Sequence, residues 1–198
     1  MKNKYLIAGI LLLSAALCLS VYNLWDANRA AKSTETALGE LEQLLPEISE
    51  EAPSSDPVFT PESEMPAVEI HGKRYIGRLD IPSLELSLPV MENWSLSNLK
   101  LAPCRYQGSA YLGNLIIAAH NYPGHFGDLW KLDVGDGLSF TDMEGNRFEY
   151  EVAAFERLGP AAVEEMEAGK WEMTLFTCTA SGRNRLTLRC TEAGKGSG

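Results

Sequence analysis

The chain has 198 residues, of which 45% are hydrophobic, and a formal net charge of −10 at pH 7. This length allows one domain of ordinary size with flanking segments, and the hydrophobic fraction is enough to build a core. The acidic balance argues against a nucleic-acid-binding protein, because binding to a phosphate backbone requires a basic surface.

An apolar, uncharged run over residues 5–22 predicts a membrane-spanning helix. At about 1.5 Å per residue such a helix reaches roughly 27 Å, close to the thickness of a bilayer's hydrocarbon core. Lys2 and Lys4 precede the run, Tyr22 ends it and Trp25 follows it. We therefore expect a cytoplasmic N-terminus and an extracytoplasmic remainder. A cleaved signal peptide is the alternative, but its apolar region is usually shorter.

The next segment, residues 26–48, is predicted to be a helical stalk. Leu38, Leu41, Leu45 and Ile48 recur at spacings of three and four, which gives one narrow apolar stripe. Such a stripe is too short to specify a coiled coil. We interpret the helix as a spacer, and the alternative is a helix that lies on the domain.

Residues 49–70 are predicted to be a linker. Four prolines lie among Ser, Glu and Asp in this segment, and this composition does not bury enough apolar surface to order itself.

From residue 71 onward, short β-prone runs are broken by Pro, Gly and Asn. Seven or so short strands suggest an all-β barrel or sandwich rather than a βαβ fold. Two short helices are expected, near residues 95–101 and 161–168. The predicted strands cover residues 75–82, 84–90, 114–120, 137–142, 147–155, 171–178 and 185–190.

Cys178 is the first candidate for chemistry, because it closes one predicted strand and opens a polar turn. A thiol is a nucleophile only as its thiolate, so Cys178 needs a partner. His120 also ends an apolar strand, and the two residues could meet at one rim of a barrel. From these residues alone, a buried thiol and a hydrogen-bonded imidazole remain the alternative. His71 at the domain edge and His125 in a loop are weaker candidates.

Arg185 begins the strand that should pair with the one ending at Cys178, through a tight turn near Ser181 and Gly182. A guanidinium there would lie near the thiol and could bind a developing oxyanion.

The other cysteines differ in expected environment. Cys18 lies in the predicted span, which leaves Cys104, Cys178 and Cys190 outside the membrane. An odd number of thiols in an oxidising compartment suggests that one stays free. If that one is Cys178, a Cys104–Cys190 disulfide is a hypothesis, with two independent thiols as its alternative.

The segment TLFTC at residues 174–178 resembles the TLxTC signature of the sortases. The runs IGRLDIPSLELSLPV, GNLIIAAHN, FGDLWKLDVGD and RLTLRC also resemble family segments and follow in the same order. The resemblance covers about residues 75–190, and the ordered combination is more specific than any single run. One departure is Ala119, where the family usually has glycine.

The resemblance implies an all-β, closed barrel of seven to eight strands with short helices, preceded by one transmembrane helix. It implies Cys178 as nucleophile, His120 as general acid and base, and Arg185 as the substrate and oxyanion partner. Thr177 and Ala118 would be substrate-binding wall residues. The predicted parts are an N-terminal tip and anchor at 1–25, a stalk at 26–48, a linker at 49–70, a catalytic domain at 71–193 and a flexible tail at 194–198.

The activity implied is that of a membrane-anchored cysteine transpeptidase. It would cleave an LPxTG-like C-terminal sorting signal of a surface protein and pass the acyl group to an amine of a peptidoglycan precursor or a pilin lysine. No cofactor is expected, although some sortases are activated by calcium. The short segment at 158–170 is not typical of class B enzymes, and DPVF at 56–59 does not match the lid spacing of class C.

Three alternatives remain. A thiol hydrolase could use the same Cys178 and His120 to cleave peptide or cell-wall links. A noncatalytic, membrane-tethered β-domain would keep Cys178 buried. A zinc site built from His120, His125, Asp128 and Cys178 is disfavoured, because this spacing matches no established zinc signature.

Overall fold

The computed structural model describes residues 2–46, 59–60, 63–179 and 181–194. It begins with one continuous helix, α1 (Lys2–Leu44). The helix ends two residues before Pro46, where the restriction that proline places on the preceding residue disfavours further helix. The first part of α1 is long and apolar enough to cross a membrane, and its apolar side chains are exposed, with Leu12 at 72% and Leu13 at 73%.

The second part of α1 packs on the barrel domain. Ala30, Thr34, Ala37 and Leu41 lie at helical spacing and are all buried. Ala37 and Leu41 join an apolar cluster that includes residues of the sheet. The expectation of a spacer is therefore wrong, and the alternative of a helix lying on the domain is correct. Ile48, the last residue of the predicted stripe, lies outside the described residues.

The remaining elements are short. Two small helices, α2 (Leu96–Leu99) and α3 (Val163–Glu167), lie where the sequence predicts them, and single 3-10 turns cover Pro82–Leu84, Ala110–Leu112 and Leu129–Lys131. The strands of the described chain are β1 (Val68–Ile70), β2 (Lys73–Ile81), β3 (Leu86–Met91), β4 (Cys104–Gln107), β5 (Leu115–Ala118), β6 (Gly137–Asp142), β7 (Arg147–Leu158), β8 (Met173–Cys178) and β9 (Arg185–Glu192).

Eight of these strands close into a barrel in the order β2-β3-β4-β5-β8-β9-β7-β6, because β6 pairs back onto β2. β1 adds to the barrel through its antiparallel pairing with β2. Gly77 permits the closure: a Cβ at this position would collide with the carbonyl oxygen of Thr141 on β6. Inward side chains such as Leu79, Phe140 and Leu175 fill the interior. The predicted closed barrel of seven to eight strands is confirmed.

The predicted linker boundary at residue 70 is too late. Residues 68–70 already form β1, and Met65 is buried in the barrel core. Phe59 stacks on Tyr111, with ring centroids 3.7 Å apart, next to the start of β5. Since His120 follows the opposite end of β5, Phe59 is not a lid over the site. The other linker residues at 49–58 and 61–62, and the tail at 195–198, lie outside the described residues.

Candidate active site

The candidate site lies at the rim where β5 and β8 end. These two strands pair in parallel, with Ala118 opposite Phe176, so their carboxyl ends share one edge of the barrel. Cys178 is the last residue of β8, and His120 lies two residues beyond β5. The predicted common rim is therefore present.

Hydrogen bonds tie the two strand ends together. The Thr177 hydroxyl donates to the Ala119 carbonyl oxygen at 2.9 Å. The Ala119 amide donates to the Phe176 carbonyl oxygen at 3.2 Å, and the Phe126 amide donates to the His120 carbonyl oxygen at 3.1 Å. These bonds fix the backbone of His120 relative to the backbone of Cys178.

Arg185 lies opposite Cys178 in the antiparallel β8–β9 hairpin. Its Nη1 donates to the Cys178 Sγ at 3.3 Å. The connecting turn is held by the Thr179 amide, which donates to the Asn184 carbonyl oxygen at 2.9 Å. The guanidinium is thus positioned to stabilise negative charge on the sulfur or on an atom that the sulfur attacks.

The neighbouring arginines have other roles. Arg183 is exposed in the turn. Arg189 is buried at 2% exposure and donates to the Glu156 carboxylate at 2.8 Å and the Thr174 hydroxyl at 3.1 Å. It also donates to the carbonyl oxygens of Glu165 and Met166 in α3, at 2.6 and 2.8 Å. Arg189 therefore satisfies carbonyls near the end of a short helix and is a structural residue.

His120 is half-buried and stacks on Tyr122, with ring centroids 4.8 Å apart and planes at 19°. Burial lowers its pKa, the Asp26 carboxylate raises it, and Lys100 lowers it further. Its Nε2 atom is buried and has no hydrogen-bond partner among the described residues. Desolvation of this nitrogen disfavours the imidazolium, which explains the direction of the net change.

His125 was expected only to shape a loop, but it also contacts α1. It is 1% exposed, and its Nε2 lies 2.8 Å from the Thr34 hydroxyl oxygen. Burial, with a smaller effect from His120, lowers the pKa of His125 to about 4, so the ring is neutral near pH 7. His71 is exposed, and its Nε2 lies 2.8 Å from the Glu40 carboxylate. It takes no part in the site.

The two expected wall residues are buried. Thr177 and Ala118 are each 2% exposed, so neither side chain is open to a substrate in this structure. A row of aromatic rings leads from Phe176 to a cavity along β4 that neither residue lines. Phe176 packs edge-to-face with Tyr106 at 5.3 Å, and Tyr106 with Trp94 at 6.1 Å. Trp94 and Tyr106 line a cavity of about 430 Å³ together with Glu92, Asn93, Arg105, Gln107 and Gly108.

The hypothesis of a Cys104–Cys190 disulfide is wrong. Both thiols are free and buried, and burial raises the pKa of each to about 12. Cys104 lies on β4 and Cys190 on β9, with β5 and β8 between them in the sheet. Strands about 4.8 Å apart place these residues beyond the reach of a disulfide. Within the described residues, no group of three or more His, Cys, Asp or Glu could hold a metal ion, which gives no support to a zinc site.

Comparison with known proteins gives one consistent picture. A family model described as Sortase domain matches residues 79–193. Sortase A of Bacillus anthracis is 32% identical over 124 residues, which cover 60% of this chain and 59% of that protein. The match thus spans less than two thirds of that relative's length.

Solved structures share the fold. A Sortase D5 transpeptidase of Clostridium perfringens has 24% identity and a TM-score of 0.54, over 61% of this chain and 79% of that chain. Sortase C1 of Streptococcus suis has 26% identity and a TM-score of 0.51, over 60% of this chain and 72% of that chain.

Proposed function

The chain belongs to the sortase family, and on this premise we propose that it is a membrane-anchored cysteine transpeptidase with Cys178, His120 and Arg185 as its catalytic residues. The observation that carries the proposal is the 3.3 Å contact between the Arg185 guanidinium and the Cys178 sulfur. This contact lies at the rim where the strand leading to His120 also ends. A nucleophile, an acid–base group and a fixed cation at one rim are what acyl transfer requires.

The first half-reaction would acylate the enzyme. The Cys178 thiolate attacks the carbonyl carbon between Thr and Gly of an LPxTG-like signal, and the Arg185 guanidinium donates to the resulting oxyanion. His120, as imidazolium, then gives a proton to the leaving glycine amine. The carbon–nitrogen bond breaks, and the acyl group remains on the sulfur as a thioester.

The second half-reaction would release the product. An incoming amine attacks the thioester carbonyl, and neutral His120 takes the proton that this amine loses. The carbon–sulfur bond breaks and regenerates the Cys178 thiolate, so that the acyl group ends in a new amide. Neither step, so balanced, requires a metal or a cofactor.

We also propose how the chain is placed. The exposed apolar part of α1 would cross the membrane with the N-terminus in the cytoplasm and the barrel outside. Substrates would be surface proteins with a C-terminal sorting signal, and the acceptor would be the amine of a peptidoglycan precursor or a pilin lysine.

Product analysis tests the proposal against a thiol hydrolase. The full chain in detergent micelles is incubated with an LPxTG peptide, alone and with an amine-bearing peptidoglycan stem peptide or a lysine peptide. A transpeptidase joins the acyl fragment to one of these amines, and the amine that reacts identifies the acceptor class. A product that is always the free acid, whatever amine is added, would identify a hydrolase, and Cys178→Ala is the blank for both.

A further inference from the structure

The part of α1 that follows the exposed apolar run contacts the loop that carries His120. The Tyr122 hydroxyl donates to Oδ2 of Asp26 at 2.8 Å, and Arg29 Nη2 donates to Oδ1 of Asp26 at 3.0 Å. The Asp26 side chain is only 15% exposed. The ring of Tyr122 in turn stacks on the ring of His120. One continuous set of contacts therefore joins an acidic residue of α1 to the imidazole.

A second contact, two helical turns along α1, fixes the position of the helix. The Thr34 hydroxyl donates to the Leu101 carbonyl oxygen at 2.9 Å and so accepts a hydrogen bond from His125 Nε2. Between these contacts the loop approaches the helix closely: a Cβ at Gly124 would lie 3.4 Å from the Cβ of Ala31. These contacts, together with the one at Asp26, hold α1 against the loop that carries His120.

The contacts of Asp26 and Tyr122 determine the protonation state of each residue. Hydrogen bonds from Tyr122 and Arg29 lower the pKa of Asp26, so its carboxylate is ionised. Burial, reinforced by the Asp26 hydrogen bond, raises the pKa of Tyr122 to about 12, so the phenol remains a donor. A carboxylate that accepts from a tyrosine and an arginine is held in one orientation.

Burial and Lys100 act on His120 in the opposite direction to Asp26. Burial disfavours the imidazolium, and Lys100, just after α2, repels it. His125 is neutral near pH 7 and adds no positive charge there. The negative charge of Asp26 therefore favours the imidazolium against burial and against Lys100.

We propose that Asp26 is a positioning residue for His120. Through its hydrogen bond to Tyr122 it fixes the plane of the stacked imidazole, and its negative charge supports the protonated form of the ring. The chemical consequence rests on the proposed transpeptidase mechanism, in which the imidazolium protonates the leaving amine. Because α1 supplies Asp26 directly after Trp25 and the apolar run, the acid–base group is complete only while this helix is docked.

Histidine titration by NMR tests the inference without any substrate. The chain has three histidines, so the full-length protein in detergent micelles, labelled at histidine, gives signals that His71→Gln and His125→Gln variants assign. Asp26→Asn removes the charge and keeps an acceptor, whereas Tyr122→Phe keeps the stacked ring and removes the donor. Glu35→Gln, an exposed position on the same helix, is the matched control.

We expect Asp26→Asn to lower the titration midpoint of His120 and Tyr122→Phe to lower it less. The double variant should match Asp26→Asn, because the Tyr122 hydroxyl affects His120 only by holding the Asp26 carboxylate in place. Glu35→Gln should leave it unchanged. An unchanged midpoint in Asp26→Asn, or additive effects, would overturn the proposal. So would a fall in the His120 midpoint that occurs only together with a rise in the His125 midpoint, because exposure of His125 reports undocking of α1.

A kinetic readout separates this inference from the proposed function. If the enzyme turns over an LPxTG peptide, Asp26→Asn should lower kcat and move its pH profile toward lower pH, with little change in KM. If no transpeptidation or hydrolysis occurs, the proposed function fails, and the NMR titration still decides whether Asp26 controls His120.

Discussion

The hydroxyl of Thr177 donates a 2.9 Å hydrogen bond to the carbonyl oxygen of Ala119. Thr177 precedes Cys178 at the end of β8, and Ala119 precedes His120 just beyond β5. The bond is buried, so water does not compete for it. It therefore fixes the separation of the two candidate catalytic residues from inside the barrel, while both retain some exposure on the other side.

Thr177→Val tests this connection. The substitution removes the donor and leaves the Ala119 carbonyl with an unused acceptor site in a buried position, which should cost about 1–3 kcal/mol of unfolding free energy. We expect the rate of peptide cleavage to fall at least tenfold, since small misplacements of reacting groups are costly. Thr177→Ser keeps the hydroxyl and should retain most of the activity. Equal activity of the valine and serine variants in a peptide-cleavage assay would contradict the role.

Arg185→Lys tests the guanidinium beside the sulfur. Lysine keeps the positive charge but loses the planar set of donors, so the oxyanion and the sulfur are no longer bound together. We expect kcat to fall by about 10²–10³-fold, the usual effect of losing an oxyanion donor. Arg183→Lys, in the exposed turn, should be mild. A mild Arg185→Lys and a severe Arg183→Lys would show that the guanidinium was assigned two residues out of place.

Arg189→Met tests the structural arginine. Removing the buried guanidinium leaves the Glu165 and Met166 carbonyls and the Thr174 hydroxyl without their partner. We expect a loss of roughly 1–3 kcal/mol of unfolding free energy for each buried acceptor left without its donor, measured by urea denaturation. Arg183→Met, at an exposed position, should change it by less than about 0.5 kcal/mol. Similar midpoints and slopes for the two variants would contradict the assignment.

His125 predicts a pH-dependent stability. Its pKa falls from the ordinary 6.5 to about 4 in the folded chain, so the unfolded chain takes up the proton first. The stabilisation is complete above about pH 6.5 and is lost as the pH falls toward 4, by up to ~3 kcal/mol. The measurement is the unfolding free energy of the wild type minus that of His125→Gln across this range. A difference that does not change with pH would show that His125 does not titrate as described.

The sequence identified the barrel because most strands have strong local patterns. The run at 137–142 corresponds to β6 without any change of bounds, and the run at 185–190 lies within β9. β1 and β4 are only three and four residues long, so neither has enough residues to show an alternation. Pro103 and Gly108 flank β4 and are typical of loops, so no strand was predicted at this position.

The contacts of α1 were not predictable from local pattern. Its buried positions include Ala30, Thr34 and Ala37, which are small or polar and add little to an apolar stripe. The contact of Asp26 with Tyr122 spans 96 positions of the chain, and no spacing rule indicates it. The Cys104–Cys190 hypothesis failed for the same reason, because it depended on which strands are neighbours in the barrel.

The most direct test of the central claim is mass spectrometry of the intact full-length chain after incubation with an LPxTG peptide in the absence of added amine. We predict an adduct with the mass of the peptide's acyl fragment, located on Cys178 by peptide mapping and removed by hydroxylamine as a thioester should be. Cys178→Ala should show no adduct and His120→Ala very little. Cleavage of the peptide by Cys178→Ala, or an adduct on another residue, would contradict the account.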